Sequence, residues 1–268
     1  MTDAPPVPLR DAATLMLVRD GETGLEVFMM RRTLSAAFVA GFYVFPGGAV
    51  DTADRDESLA VHVVGRNDGD ASRALGIERG GLASWVAALR ECFEEAGVLL
   101  AVDADGSPIG FDDPDVARRY LGHRAALHRG ELSLADLCSS EGIRLAADRL
   151  YYVSHWITPV GEPRRFDTRF FLAATPLNQD PLHDDNETIA SLWVNPAEAL
   201  AMHQRGDLQL IAPTIRNLQF LVPHTTAADV LAAAAAVVDP PPMLPRLFRD
   251  SNGFHILLPG DAGYEDAS

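Results

Sequence analysis

Apolar positions cluster at residues 13–18 and 25–31, dense in Leu, Val, Met and Phe, and the Asp20-Gly21-Glu22-Thr23-Gly24 segment between them carries turn chemistry. This pattern predicts a β-hairpin. Residues 42–45 form a short apolar piece cut off by Pro46-Gly47-Gly48, where proline fixes one torsion and glycine admits unusual ones, so a sharp backbone turn is expected. The stretch 52–81 is acidic, glycine-spotted and only patchily periodic, as an inserted surface segment would be. Apolar residues at 82, 85, 86, 89, 92, 93 and 96 then repeat with helical spacing, and Gly97 is the expected C-terminal cap.

Further along, 113–128 and 132–141 read as two helices separated by Arg129-Gly130. Residues 150–158 and 166–173 are aromatic and β-branched enough for strands, joined by the turn-rich 159–165, and 189–194 is another strand. Pro196 opens a helix over 196–204. Helices near 214–221 and 227–237 precede a proline-rich tail. With no internal repeat or long linker, strands mixed with helices predict an α/β sandwich in a single domain spanning 1–268. Its expected elaborations are an insertion at about 52–81, a helical insertion at about 112–148 and a C-terminal helical extension over about 196–268.

The chain has 268 residues, is 47% hydrophobic and carries a formal charge of −16. That hydrophobic share supports a folded core and argues against disorder. Acidity spread along the chain disfavours a surface that neutralises nucleic-acid phosphates, so no nucleic-acid partner is expected. The N-terminus lacks a basic region followed by an apolar run, and the Ala-rich 230–238 stretch is far shorter than the roughly 20 residues of a membrane span. The expectation is a cytoplasmic protein without a membrane partner. Cys92 and Cys138 form no CxxC or zinc pattern, so neither a disulfide framework nor a zinc site is expected.

Candidate chemistry concentrates in Arg90-Glu91-Cys92-Phe93-Glu94-Glu95-Ala96-Gly97-Val98. On a helix, positions 91, 94 and 95 are three and four residues apart, so three carboxylates share one face. Like charges this close destabilise a helix, and Arg90 alone is adjacent to offset them, so the economical explanation is a missing cation. Magnesium or manganese suits, because hard divalent ions take carboxylate and carbonyl oxygens. The alternative is a solvated acidic face. Trp85, Leu89, Cys92 and Phe93 weigh against it, since they pin the opposite side of the helix to a core.

Together with the upstream Gly41-Phe42-Tyr43-Val44-Phe45-Pro46-Gly47-Gly48-Ala49-Val50-Asp51, this helix resembles the Nudix hydrolase signature GX5EX7REUXEEXGU, whose second half fits Arg90 to Val98. The resemblance implies a Nudix-type α/β/α sandwich with a mixed sheet. One departure stands out: Arg90 follows Gly48 by 42 residues where the signature has 14, a difference of 28 residues. Gly76 has the standard spacing, but Leu82 then stands where Glu belongs, so 45–48 is taken as the glycine loop. The signature's first Glu has no direct counterpart; Asp51 and Asp54 are the nearest candidates. By matching positions, the resemblance implies that Glu94 and Glu95 bind divalent metal near the Gly47 carbonyl. Glu91 becomes a further ligand or the base that activates water, and Arg90 orients the acids. Family members cut a diphosphate joining a nucleoside to another group.

Gly41, Phe45, Pro46, Gly47, Gly48 and Asp51 also fit a pattern of the coenzyme A-cleaving subgroup. Upstream, Arg32 and Ser35 suit that pattern but Ala37 stands where it expects Arg; Arg32, Ser35, Phe38 and the stretch Arg90 to Leu100 are similar to the subgroup's insertion-bearing branch. Arg32, Phe45 and Gly48 become candidate substrate contacts by that likeness, with coenzyme A or acyl-CoA as substrate and 3′,5′-ADP and (acyl-)4′-phosphopantetheine as products. Rival readings are an ADP-ribose, NADH or dinucleotide diphosphatase, and a ligand sensor without turnover. Arg164 and Arg165 could meet a phosphate as a planar fork, or balance Glu162 and Asp167. Glu187 in the acidic 183–187 loop could add a metal ligand, or be solvated. Adjacent Ser154 and His155 point to opposite faces of a strand and cannot form a nucleophile–base pair. Asp103 to Ser107 starts like a calcium loop but has Pro108 where glycine is needed, so it is a turn. The insertion and the 113–141 helices are candidates for a lid or a homodimer interface.

Overall fold

Strand β1 (Leu9–Gly21) buries Ala13, Leu15 and Leu17 on one face and Met16 and Val18 on the other, the period of two that a strand imposes. Burial on both faces requires a layer on each side of the sheet. The structure, a computed structural model describing residues 7–33, 40–182, 188–250 and 253–265, supplies both. In chain order β1 is followed by β2 (Gly24–Arg32), β3 (Tyr43–Val44) and β4 (Gly47–Ala49). Then come α1 (Asp68–Ala74), α2 (Leu82–Ala96), β5 (Ala101–Val102), α3 (Pro114–His128), α4 (Leu134–Glu141) and β6 (Arg144–Leu145). Strands β7 (Tyr151–Ile157), β8 (Arg165–Ala174) and β9 (Thr188–Val194) precede helices α5 (Pro196–Arg205), α6 (Ala212–Leu221) and α7 (Ala227–Ala235). The chain closes with β10 (Pro242–Met243), β11 (Arg246–Asp250) and β12 (Gly253–Leu257).

The main sheet is mixed. β8 runs parallel to β1 from Leu9 opposite Arg165 to Val18 opposite Ala174, and β7 continues the sheet antiparallel to β8. On its other edge β1 pairs with two strands in succession, β4 along Ala12 to Thr14 and β2 along Val18 to Gly21. One core lies between the sheet and α2, with Trp85, Leu89 and Phe93 packed against Leu15, Phe28 and Phe171. The other lies between the opposite face and α5, α6 and α7, where Leu218, Leu221 and Val230 meet Met16, Met29 and Leu172. This is the expected α/β/α sandwich.

Several expectations are corrected. The expected bend falls at Pro46, between β3 and β4, but Gly47 and Gly48 adopt no left-handed torsions; they form β4, an extended strand paired with β1. The 52–81 stretch is not merely surface: Asp54, Leu59, Ala71 and Leu75 are buried, and short helical turns at 53–55 and 57–62 lead into α1. The C-terminal extension is helical only to Ala235, after which β10 joins β7 in parallel and β11 and β12 form a separate hairpin. Ser35, Phe38 and Glu187 lie outside the described residues. Cys92 and Cys138 are both free and buried.

The inserted stretch caps the helix that follows it. Asp68, in the first turn of α1, accepts hydrogen bonds from the backbone N–H groups of Gly80 and Leu82 at 2.9 and 3.0 Å, satisfying donors at the start of α2. These bonds hold its carboxyl below the ordinary aspartate range, the Gly80 N–H acting most strongly and partial burial opposing it. Gly81 lets α1 approach, since a Cβ there would stand 2.4 Å from the Ser72 backbone nitrogen. Asp68→Ala is expected to cost about 1–2 kcal/mol, in the range of a lost N-cap. Because the carboxyl's pKa is depressed on folding, this contribution is present above the unfolded value and lost as pH falls through the folded one. Urea titrations of both proteins at pH 7 and pH 3 measure it, and the gap should narrow at the lower pH.

Candidate active site

Helix α2 carries the site because one side of it is pinned and the other is charged. Its C-terminus is closed by Gly97 in the left-handed conformation, φ 70°, and by a cation from another helix. Arg124 of α3, almost fully buried, donates to the carbonyls of Glu94 and Glu95 at 2.9 and 2.8 Å and to that of Leu182 at 3.0 Å. A guanidinium at this end satisfies orphan carbonyls and opposes the negative pole of the helix. The helical insertion therefore braces the turn that bears the acids.

Arg90 is the organising charge. Its Nε and Nη2 donate to the two oxygens of Asp54, both at 2.8 Å, in a buried fork. Nη2 also donates to the Ala49 carbonyl of β4 at 3.0 Å, and Nη1 reaches Glu91 at 2.9 Å and Glu94 at 3.4 Å. Asp51 stands 3.7 Å away and is largely exposed. Of the two aspartates that could replace the signature's first glutamate, Asp54 is the one that pairs with Arg90. Burial opposes the guanidinium's charge, but the Asp54 hydrogen bonds and the fields of Glu91, Asp54 and Glu94 outweigh it, so the proton is held more firmly than in free arginine.

The glycine strand meets the acids at contact distance. Gly47 N–H donates to Glu95 Oε2 at 2.8 Å, and a Cβ on Gly48 would stand 2.4 Å from Glu91 Oε1. A Cβ on Gly47 would stand 2.5 Å from the Ala13 carbonyl oxygen. Both positions need glycine for close approach rather than for torsion.

Glu91, Glu95, Gly47 and Gly48 line one end of a cavity of about 1080 Å³. Its floor follows the sheet registers: Gly47, Thr14 and Phe170 form one rung, Ala49, Ala12, Thr168 and Trp156 the next, and Arg10 lies beside Phe166 beyond them. Arg32, Phe45 and Arg164 also line it, while residues 210–215 at the start of α6 close another wall. Glu94 is not on the cavity wall; it lies to the side, against Arg90. Nor does Arg165 reach the cavity, and the expected phosphate fork with Arg164 does not form. Its Nε donates to the carbonyls of Thr158 and Pro159, stapling the β7–β8 turn. Ser154 bonds Asn217 and His155 bonds Asp167, so they share no reaction centre. Sequence reading missed Arg10 and the aromatic floor, whose only sequence signal is the alternation Arg10, Ala12, Thr14.

Five carboxylates, those of Asp51, Asp54, Glu91, Glu94 and Glu95, surround one guanidinium or its immediate neighbours. The Glu91 carboxyl is pushed up to about 7, chiefly by burial, with Arg90 pulling down and Glu94 and Asp54 pushing up. Burial likewise raises Glu94, against the pull of Arg90. Among the described residues no three Asp, Glu, His or Cys side chains already stand as a closed metal cage. Magnesium does not need one, since it commonly binds through one or two carboxylates plus substrate phosphates. An excess of oxygen donors at the wall of an open cavity, beside a glycine with no side chain, fits a hard dication.

Removing the Asp54 carboxylate leaves a buried guanidinium without its fork, so Asp54→Ala should cost about 3–5 kcal/mol. Asp51→Ala, at an exposed 3.7 Å contact, should cost less than about 1 kcal/mol. Chemical denaturation ranks the two, and the reverse order would assign the pairing role to Asp51. For Glu91 the folded pKa lies above the unfolded one, so between about pH 4.5 and 7 the folded state alone retains the proton and stability falls as pH rises. In chelator, Glu91→Gln should gain stability relative to the parent protein by on the order of 2 kcal/mol from pH 5 to pH 8.

The family model for the NUDT19 Nudix domain matches residues 66–221. The chain is 27% identical to the acyl-coenzyme A diphosphatase NUDT19 of Gallus gallus, over 92% of this chain and 74% of that protein. Against the protein of the same description from Homo sapiens the identity is 25%, over 91% and 74% of the two chains. A solved structure, the NUDIX hydrolase from Alicyclobacillus acidocaldarius, superposes with a TM-score of 0.69 at 32% identity, covering 84% of this chain and 96% of that one. The chain is a hydrolase of the Nudix family, matched by the NUDT19 Nudix domain.

Proposed function

We propose that this protein hydrolyses the diphosphate of coenzyme A or acyl-CoA, giving 3′,5′-ADP and (acyl-)4′-phosphopantetheine, with magnesium or manganese as cofactor. The observation that carries the reading is a cavity in which two glutamates from α2 meet the glycine strand at one end, while arginines and aromatic side chains line much of the rest. The acyl-coenzyme A diphosphatase relatives from Gallus gallus and Homo sapiens support the substrate class.

Glu91 and Glu95, one helical turn apart on the wall, would hold the ion, with Glu94 behind them adding negative potential. When bound, a dication neutralises phosphate oxygens and lowers the pKa of a water. Glu95 is oriented by the Gly47 N–H, and Arg90 fixes Glu91 through Oε1, leaving Oε2 for the ion. Arg90 itself stays off the cavity wall and positions the acids. Phe45 and Arg32 bound the substrate space near the glycine strand.

Incubation of the purified protein with magnesium or manganese and coenzyme A, acyl-CoA, ADP-ribose or NADH, followed by product analysis, tests the reading. Glu91→Gln and Glu95→Gln are each expected to lower kcat by about 100-fold or more, the scale seen when a group stabilising the transition state is removed. Cleavage of ADP-ribose or NADH in preference to coenzyme A would replace the substrate, and full activity in both variants would remove them from the mechanism.

A further inference from the structure

The end of the cavity opposite the acids has a distinct chemistry. Arg10 on β1 lies beside Phe166 on β8, Arg164 is two residues before Phe166, and Trp156 stands across from Thr168 on β7. All four line the cavity. Among the described residues neither Arg10 nor Arg164 forms an ion pair, although the chain carries a net charge of −16 and acids are abundant. Glu162 shares this wall and offsets part of their charge. The chain contains no lysine, so every basic side chain is a planar guanidinium suited to paired phosphate oxygens.

Distance fixes what could use this corner. Arg10 precedes the Thr14 rung, where Gly47 meets β1, by four residues, which is about 13 Å of strand. Trp156 is three strand spacings from Ala49, about 14 Å across the sheet. A ligand with its diphosphate at the acids would therefore extend a nucleoside's length before reaching half-buried Phe166, the accessible edge of the largely buried Trp156, and two exposed arginines with no ion pair among the described residues. Aromatic faces stack bases irrespective of sequence. Two arginines beside them call for a second anionic group on the same nucleoside.

We propose that Arg10 and Arg164 bind a ribose phosphate borne by the nucleoside half of the substrate, with Phe166 and Trp156 flanking its base, and so select a 3′-phosphorylated nucleotide over one lacking that phosphate. The assignment rests on the coenzyme A reading above and adds the residues that would separate coenzyme A from ADP-ribose or NADH.

The test compares coenzyme A with 3′-dephospho-coenzyme A under magnesium, in the parent protein and in an Arg10→Ala, Arg164→Ala double variant. The parent is expected to favour coenzyme A in kcat/KM by about 10–100-fold, the worth of one or two charge-assisted hydrogen bonds. In the double variant that ratio should collapse toward unity, through a higher KM for coenzyme A. Glu162→Gln should instead increase the ratio. Competition in the parent protein keeps the test independent of the variant's folding: 3′,5′-ADP should inhibit at least about tenfold more strongly than 5′-AMP. Equal cleavage of the two coenzymes by the parent, or a ratio unchanged in a folded double variant, overturns the phosphate site while leaving coenzyme A as substrate. Cleavage of neither coenzyme, with ADP-ribose consumed, overturns the substrate reading itself.

Discussion

The buried fork between Arg90 and Asp54 is the interaction on which the rest of the site depends. One guanidinium ties α2 to the inserted turn through Asp54, to the glycine strand through the Ala49 carbonyl, and to two of the acids through Nη1. A buried charge of this kind is tolerable only when its partners are fixed, because an unpaired one costs several kcal/mol. The fixed partners bring a helix and a strand from different layers into register. Glu95 can then accept from Gly47 and Glu91 can lie against Gly48. Asp68 and Arg124 hold the two ends of the same helix, so three separate segments converge on the placement of one helical turn.

That placement comes at a cost in stability, concentrated where the chemistry is. Burial raises the carboxyls of Glu91 and Glu94 and crowds them together. Strained electrostatics of this sort are common at functional sites, where the missing partner is a ligand rather than a side chain. The surrounding core offsets the strain: Trp85, Leu89 and Phe93 fix the far side of α2 against the sheet. Under the proposed function, acidity that would repel a nucleotide from most of the surface serves, at one end of one cavity, to hold the cation that an anionic substrate needs.

Much of this was legible in the sequence, and the failures have a common cause. Helix α2 could be read from its apolar repeat and Gly97, and the β1–β2 hairpin from its turn residues, because both signals are local. The acids could be read as a group because helical spacing alone brings them together. Asp54 could be named only as one of two candidates, since it pairs across 36 residues with no periodicity to align them. The role of Gly47 and Gly48 was visible as a need for glycine but not as its reason, which is the approach of Glu91 and β1 rather than a special torsion. Arg10 and Arg165 show the same limit: the parallel pairing of β1 with β8 turns Arg10 toward Phe166, while turn carbonyls claim Arg165.

The most direct test of the account is anomalous diffraction from crystals of the protein soaked with Mn²⁺. An ion is expected at the acid end of the cavity, within about 2.0–2.3 Å of oxygens from Glu91 and Glu95 and adjacent to the Gly47–Gly48 strand. Ordered manganese found only elsewhere, with these two carboxylates bearing none, would contradict it.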